Sequence, residues 1–187
     1  MLYESLKDYF VNDLVYEDSK VVFVLESPHT EEVKNGYPVA GKSGKDMSKV
    51  LFGLDEAFGK LIYEQRVKNI AIVNVCNYPL QKSAYKQTDI SEIEKFEKIR
   101  QNPKLRKYDK EEINAVLKVM MDDFALRVAK HKDKKIVICG NFAQNCFENY
   151  LNADDFQNIL YVPHPSFNNW KKEKYQTVIQ ELQRFVK

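Results

Sequence analysis

Four short apolar runs stand out along the chain: Val21 to Leu25, Ile70 to Val75, Ile136 to Gly140 and Ile159 to Val162. Each is rich in β-branched residues and bounded by polar or turn residues, the pattern of buried strands in a parallel sheet. Segments with helical spacing lie between them. Met47, Val50, Leu51, Leu54, Phe58, Leu61 and Ile62 form one apolar stripe, and Ile113, Leu117, Met120, Phe124 and Val128 form another. Stripes of this kind are faces that a helix turns towards a core. Residues 2–16 (Leu6, Phe10, Leu14) and 171–186 (Tyr175, Val178, Ile179, Leu182, Val186) carry the same spacing and predict a flanking helix at either end. Strand alternating with helix predicts an α/β protein, a three-layer α/β/α sandwich around a four-stranded parallel sheet.

The stretch 82–110 breaks the pattern. It is dense in Lys, Glu and Gln, with Pro103 and the basic residues Lys104, Arg106, Lys107 and Lys110. It predicts an exposed helix and loop inserted between two strands, either a solvated face or a phosphate-facing insertion. Neither repeats nor low-complexity tracts interrupt the remainder, so a single domain over 1–187 is expected.

Composition narrows the picture only a little. Lys and Arg number 29 against 27 Asp and Glu, which leaves a formal charge of +2. Phosphate contacts need a local basic stripe rather than a basic average, so this value leaves the partner open. No apolar run approaches the roughly 20 residues needed to span a bilayer. A cytoplasmic protein with no membrane partner is the expectation. Three cysteines (Cys76, Cys139, Cys146), an odd number with no CxxC pair, argue against a disulfide framework and against a self-sufficient metal cluster.

In open parallel sheets, ligands bind beyond the carboxyl ends of the strands. Here the first run leads into Glu26-Ser27-Pro28-His29 and the second contains Asn74, followed by Cys76-Asn77-Tyr78-Pro79. The third ends at Gly140-Asn141, and the fourth leads into Pro163-His164-Pro165-Ser166. These ends are expected to converge on one cleft. A competing motif lies close by: Gly36-Tyr37-Pro38-Val39-Ala40-Gly41-Lys42-Ser43 satisfies the GxxxxGK[ST] phosphate-loop pattern of an NTPase. Such a loop leaves its strand directly, whereas the first run ends at Leu25, eleven positions before Gly36, and Pro38 lacks one of the amides that would cradle phosphate.

Taken together, the strand-end residues resemble the uracil-DNA glycosylase superfamily, most closely its iron-sulfur-containing bacterial and archaeal branch. The first family motif, Gly-Glu-Ala-Pro-Gly followed by an acidic pair and a Gly-Arg-Pro-Phe-Val-Gly-Arg-Ala-Gly loop, is similar to Leu25-Glu26-Ser27-Pro28-His29-Thr30-Glu31-Glu32 and Gly36 to Gly44, at the same spacing. Ile72-Val73-Asn74-Val75 resembles the strand carrying the base-reading Asn. Cys139-Gly140-Asn141-Phe142-Ala143-Gln144 resembles a segment whose common form is Trp-Gly-Ser-Tyr-Ala-Gln, and His164-Pro165-Ser166 matches the closing His-Pro-Ser.

The resemblance implies a DNA glycosylase that flips a uracil or another deaminated or damaged base out of single- or double-stranded DNA and hydrolyses its N-glycosidic bond, acting as a monomer. His164 would donate to the departing base, and Glu26 would face the sugar cation or the attacking water; Glu26 could equally cap a helix or pair with a lysine. Asn74, Ser27, Pro28, His29, Val39, Tyr37 and Ser166 would contact the substrate. Lys42, Ser43, Phe167 and Lys171 would hold nucleic acid, with Lys45, Lys172 and Lys174 completing a basic rim. Phe167 and Trp170 lie where the family places a wedge, although Trp170 could instead pack a helix. Ser27 stands where many branches have Asp or Asn, Val39 where the family has a stacking Phe, and Leu25 and His29 where it has glycines. Tyr37 or Tyr78 could replace the lost aromatic platform. The cluster cysteines are missing, so no iron-sulfur cluster and no other cofactor is expected. A catalytically inactive module of the same fold that binds a nucleotide or nucleic acid is the second expectation.

Overall fold

The computed structural model describes residues 3–86, 90–102, 104 and 107–187. Pro103 and Arg106 of the charged insertion lie outside the described residues. Four strands, β1 (Val21–Leu25), β2 (Ile70–Asn74), β3 (Lys135–Cys139) and β4 (Asn158–Val162), form one sheet in the order β2-β1-β3-β4. Every neighbouring pair is parallel. Helices cover both faces, as the alternation of apolar runs and stripes predicts.

Period-two alternation in the strands sorts the core into two layers. Val22, Val24, Ala71, Val73, Ile136 and Ile138 face one side. There they meet α4 (Ser91–Gln101), α5 (Glu111–Val128) and α6 (Asn141–Tyr150). Val21, Phe23, Leu25, Ile70, Ile72, Val137 and Cys139 face the other side, against α2 (Lys42–Phe52), α3 (Phe58–Tyr63) and α7 (Gln176–Phe185). β1 is buried along its whole length because it is flanked by strands on both edges and by helices on both faces. A short helix α1 (Thr30–Asn35) follows it directly.

The structure departs from the sequence pattern at four places. Residues 4–9 make only a 3₁₀ turn, after which the chain runs extended. β2 is an edge strand with unpaired backbone groups, and Leu14 supplies an antiparallel bridge to Ile72. The Leu14 amide donates to the Ile72 carbonyl at 2.9 Å and the reverse bond is 2.8 Å. Leu6 and Leu14 consequently enter opposite layers instead of one helix face. The stripe from Met47 to Ile62 is divided between α2 and α3, because Gly53 ends α2 in the left-handed conformation at φ 72°. At the other terminus α7 begins only at Gln176, after two 3₁₀ turns over 166–171 and 173–175. Finally, the charged insertion contains α4, whose Ile93, Phe96 and Ile99 are fully buried. Spaced three apart among Glu and Lys, they form too narrow a stripe to announce a core helix.

The phosphate-loop pattern does not form a phosphate loop. α1 intervenes between β1 and Gly36, and Gly36 is the left-handed cap of that helix. The loop that follows is closed down on the helices: a Cβ at Gly44 would lie 1.9 Å from the Val39 carbonyl oxygen, and one at Gly59 would lie 1.8 Å from that of Pro38. Val39 itself adopts φ 56°, a strained conformation for a β-branched residue that costs on the order of 1–3 kcal/mol and persists only where the surroundings enforce it. Gly44→Ala and Gly59→Ala are each expected to destabilise the fold by about 2 kcal/mol or more, because the colliding atoms are backbone. Urea unfolding of the two variants checks this, and Gly53→Ala, with open space around its Cα, is expected to show only the smaller cost of its positive φ.

Candidate active site

The carboxyl ends of the four strands open into a cleft of about 630 Å³. Among its lining residues are Glu26, Ser27 and His29 after β1, Asn74 at the end of β2, Gly140 and Asn141 after β3, and His164 and Ser166 after β4. Val39, Ser43 and Phe167 also border it.

The β4 end is the most tightly constrained. The Ser166 backbone amide donates to His164 Nδ1 at 3.2 Å, and the Ser166 hydroxyl lies 2.8 Å from the same nitrogen. An amide only donates, so Nδ1 is an acceptor and the neutral imidazole carries its proton on Nε2. Burial pushes the His164 pKa below its ordinary 6.5; Arg100 pushes it the same way, while Glu26 and Glu32 oppose. His164 is thus a neutral side chain with a fixed donor. Its backbone is held by Asn169, whose Nδ2 donates to the His164 carbonyl at 3.0 Å, and by Trp170, whose Nε1 donates to the Pro163 carbonyl at 2.7 Å. Trp170 is buried and so serves packing rather than wedging.

Gly140 makes this arrangement possible. It has φ 89°, and a Cβ there would come within 2.7 Å of the His164 Cβ. The ends of β3 and β4 therefore approach more closely than any side chain would allow.

Asn74 is 2% exposed, and among the described residues its Nδ2 has no hydrogen-bond partner. An unpaired buried amide donor is costly unless something completes it. The backbone around it is held from behind. Arg127 Nη1 donates to the Asn74 carbonyl at 2.7 Å and to Asp13 Oδ2 at 2.8 Å, and Nη2 donates to the Val75 carbonyl at 3.0 Å. Asp13 Oδ1 accepts from the Asn74 amide at 3.1 Å and from Asn77 Nδ2 at 3.0 Å. A half-buried ion pair thus braces the strand end that presents Asn74.

Glu26 pairs with a residue that the sequence did not point to. Arg100, from α4, donates through Nε to Glu26 Oε1 at 2.6 Å and itself lines the cleft. The pairing anticipated for Glu26 exists, with an arginine in place of a lysine. The Glu26 backbone is fixed as well, since the Cys76 amide donates to its carbonyl at 3.1 Å. Glu32 accepts from the backbone amides of His29 at 3.1 Å and Gly41 at 3.4 Å, tying the start of α1 to the loop before α2. The Ser27 hydroxyl accepts from the Leu80 amide at 3.3 Å and is occupied in holding that turn.

Some expected residues stand elsewhere. Pro28, Tyr37, Lys42 and Lys171 are not in the lining of the cleft. The Tyr37 ring stacks on Tyr63 at 5.1 Å, and Tyr78 is buried among Tyr3, Phe10 and Phe96. Neither ring is available as a platform in the cleft. Phe142 and Tyr175, which line it, are the aromatics that the sequence reading missed. Lys171 pairs with Asp46 of α2, which joins the two lysine-bearing segments side by side and leaves Lys42, Lys45, Lys172 and Lys174 exposed. Phe167 is 86% exposed, and both it and Asn168 adopt left-handed backbone, with φ 56° and 53°. Two adjacent non-glycine residues in that region hold the ring out from the loop.

Residues 13–185 match the family model described as the uracil DNA glycosylase superfamily. The chain belongs to that superfamily. No curated protein matches its sequence. The superfamily match spans all four strands and every cleft residue described above. The three cysteines are buried, and burial pushes the Cys76 thiol up to about 12 and raises Cys139 and Cys146 too. Among the described residues, no group of three or more His, Cys, Asp or Glu could hold a metal ion, and no helix is long and apolar enough to cross a membrane.

Two substitutions probe the bracing of this glycosylase-superfamily cleft. Arg127→Ala leaves the half-buried Asp13 without its cation and strips the Asn74 and Val75 carbonyls of a side-chain donor. A loss of about 1–3 kcal/mol in unfolding free energy is expected. Gly140→Ala is expected to cost at least about 2 kcal/mol and to shift the His164 ring, which its imidazole resonances would register.

Proposed function

We propose that the cleft accepts a base flipped out of DNA and hydrolyses its N-glycosidic bond. The unpaired Nδ2 of Asn74 carries the argument: a donor buried this deeply is completed by a ligand that presents a carbonyl oxygen. Uracil, hypoxanthine and xanthine all present such an oxygen. The family supports the same reading, and so does the rest of the cleft. Breaking the bond leaves positive charge on the sugar and negative charge on the departing base. The His164 Nε2–H is a fixed neutral donor for the base oxygen where that anion develops. Glu26 supplies a carboxylate for the sugar cation. The water oxygen bonds to C1′ as the C1′–N bond breaks, and the proton it loses ends on the released base. Phe142 or Tyr175 supplies an aromatic surface in place of Val39. Ser43, the exposed Lys42 and the projecting Phe167 border the path of the strand, with a phosphate on Lys42 and Phe167 filling the gap left by the base, while Lys171 stays on Asp46.

A second reading, recognition of a base or nucleotide without excision, draws on Val39 and Ser27. The first offers no ring for stacking, and the second has its hydroxyl tied to Leu80. Excision from fluorescent oligonucleotides containing uracil, hypoxanthine or xanthine, single- and double-stranded, followed by alkaline cleavage, separates the two readings. His164→Ala and Glu26→Ala are each expected to lower cleavage by about 10²-fold. Asn74→Asp is expected to abolish discrimination among bases. Binding without cleavage by folded wild type would favour the second reading.

The pH dependence follows from the depressed His164 pKa. A neutral imidazole is the working form, so excision is expected to be flat through neutral pH and to fall on acidification only below the ordinary histidine value of 6.5. An acid limb centred above 6.5 would contradict the assignment of a neutral donor.

A further inference from the structure

We propose that Arg100 is a positioning residue of the cleft, delivered by the inserted helix α4 to fix the Glu26 carboxylate and to offset its charge at His164. The inference rests on the base-excision reading for its consequence in catalysis, but its structural half stands without it.

The contact is unlike an ordinary surface ion pair. Arg100 Nε lies 2.6 Å from Glu26 Oε1, with side-chain exposures of 34% and 17%, and the partners come from segments 74 residues apart. Exposed pairs contribute little because both side chains are solvated and free to move. Here neither is free. Ile93, Phe96 and Ile99 are fully buried and fix α4 against the sheet layer, so the guanidinium base is part of a rigid wall. The Glu26 backbone is fixed independently by the Cys76 amide. The Nε contact restrains the carboxylate from the α4 side of the cleft.

The second half of the argument is electrostatic. Among the described residues, the charged groups that act on His164 are Glu26 after β1, Glu32 of α1 and Arg100 of α4. Two of these three are carboxylates, and Arg100 is the cation. Without it, burial alone would oppose two negative charges that favour an imidazolium. A proton on Nδ1 would then face the Ser166 amide, donor against donor, and the bond that orients the ring would be lost. The insertion therefore supplies the charge that lets a carboxylate and a neutral imidazole share one half-buried cleft.

The test uses a readout that a merely structural role would not move. The chain has three histidines, His29, His131 and His164, so the imidazoles of labelled protein can be titrated individually by NMR, with His164→Gln to assign the third. In Arg100→Gln the His164 midpoint is expected to move up, and the acid limb of excision to move up with it. Neutral-pH kcat is expected to fall by about 10- to 100-fold, with KM little changed, as a misplaced catalytic group predicts. Arg100→Lys, which keeps the charge without the planar fork, is expected to restore the midpoint more fully than the rate. In the double variant Glu26→Gln/Arg100→Gln the midpoint is expected to return towards wild type. His131, whose charged neighbours are Asp13, Lys130, Asp133 and Lys134, is an internal control that stays in place if the fold is intact. An unmoved His164 midpoint in folded Arg100→Gln would overturn the proposal, whether or not the wild type cleaves DNA. Absence of excision by wild type with the midpoint still shifted would instead overturn the base-excision reading and leave Arg100 its electrostatic role.

Discussion

Parallel pairing is the constraint from which the rest of the structure follows. All four strands run the same way, so their carboxyl ends share one edge of the sheet, and whatever follows them must gather there. Glu26, Asn74, Gly140 and His164 are separated by up to 138 positions (164 − 26) along the chain, yet all four line one cleft. Parallel strands cannot be joined by hairpins, so each connection crosses a face and carries a helix. That requirement creates both the covering layers and the opportunity to insert α4 where it reaches back into the cleft. The fold and the site are two results of one hydrogen-bonding direction.

Two half-buried charge pairs work on that edge from different sides. Arg127 and Asp13 lie behind the strand end that carries Asn74 and saturate its backbone. Arg100 and Glu26 lie within the cleft. Buried pairs are uncertain sources of stability, since desolvation offsets most of the attraction. Their value here is directional: one guanidinium pins the Asn74 carbonyl and the other the Glu26 carboxylate.

The sheet was legible in the sequence because buried parallel strands are continuous apolar runs rich in β-branched residues, and β1 is apolar without interruption. His164, Glu26 and Asn74 were legible because strand ends are marked by abrupt polarity. Arg100 was not, since its significance lies in a contact across 74 residues and its helix hides three apolar positions among Glu and Lys. The N-terminal segment misled for a physical reason: Leu6, Phe10 and Leu14 have helical spacing, but the open edge of β2 offers Leu14 two backbone hydrogen bonds, and the chain extends to take them. Tyr37 and Tyr78 illustrate the remaining limit. Their proximity in sequence to the site motifs says nothing of which way a ring turns, and both turn into other aromatics.

The strand order has a consequence during synthesis. β1, the first of these four strands to be made, is central, and one of its two partners, β3, ends only at Cys139. At about 5–20 residues per second, the most apolar segment of the nascent chain waits on the order of ten seconds for its second neighbour. Throughout that interval the edge of Val21 to Leu25 that β3 will occupy is open to mispairing with other chains. A protein built this way depends on whatever shields its first strand until its last-made neighbour arrives.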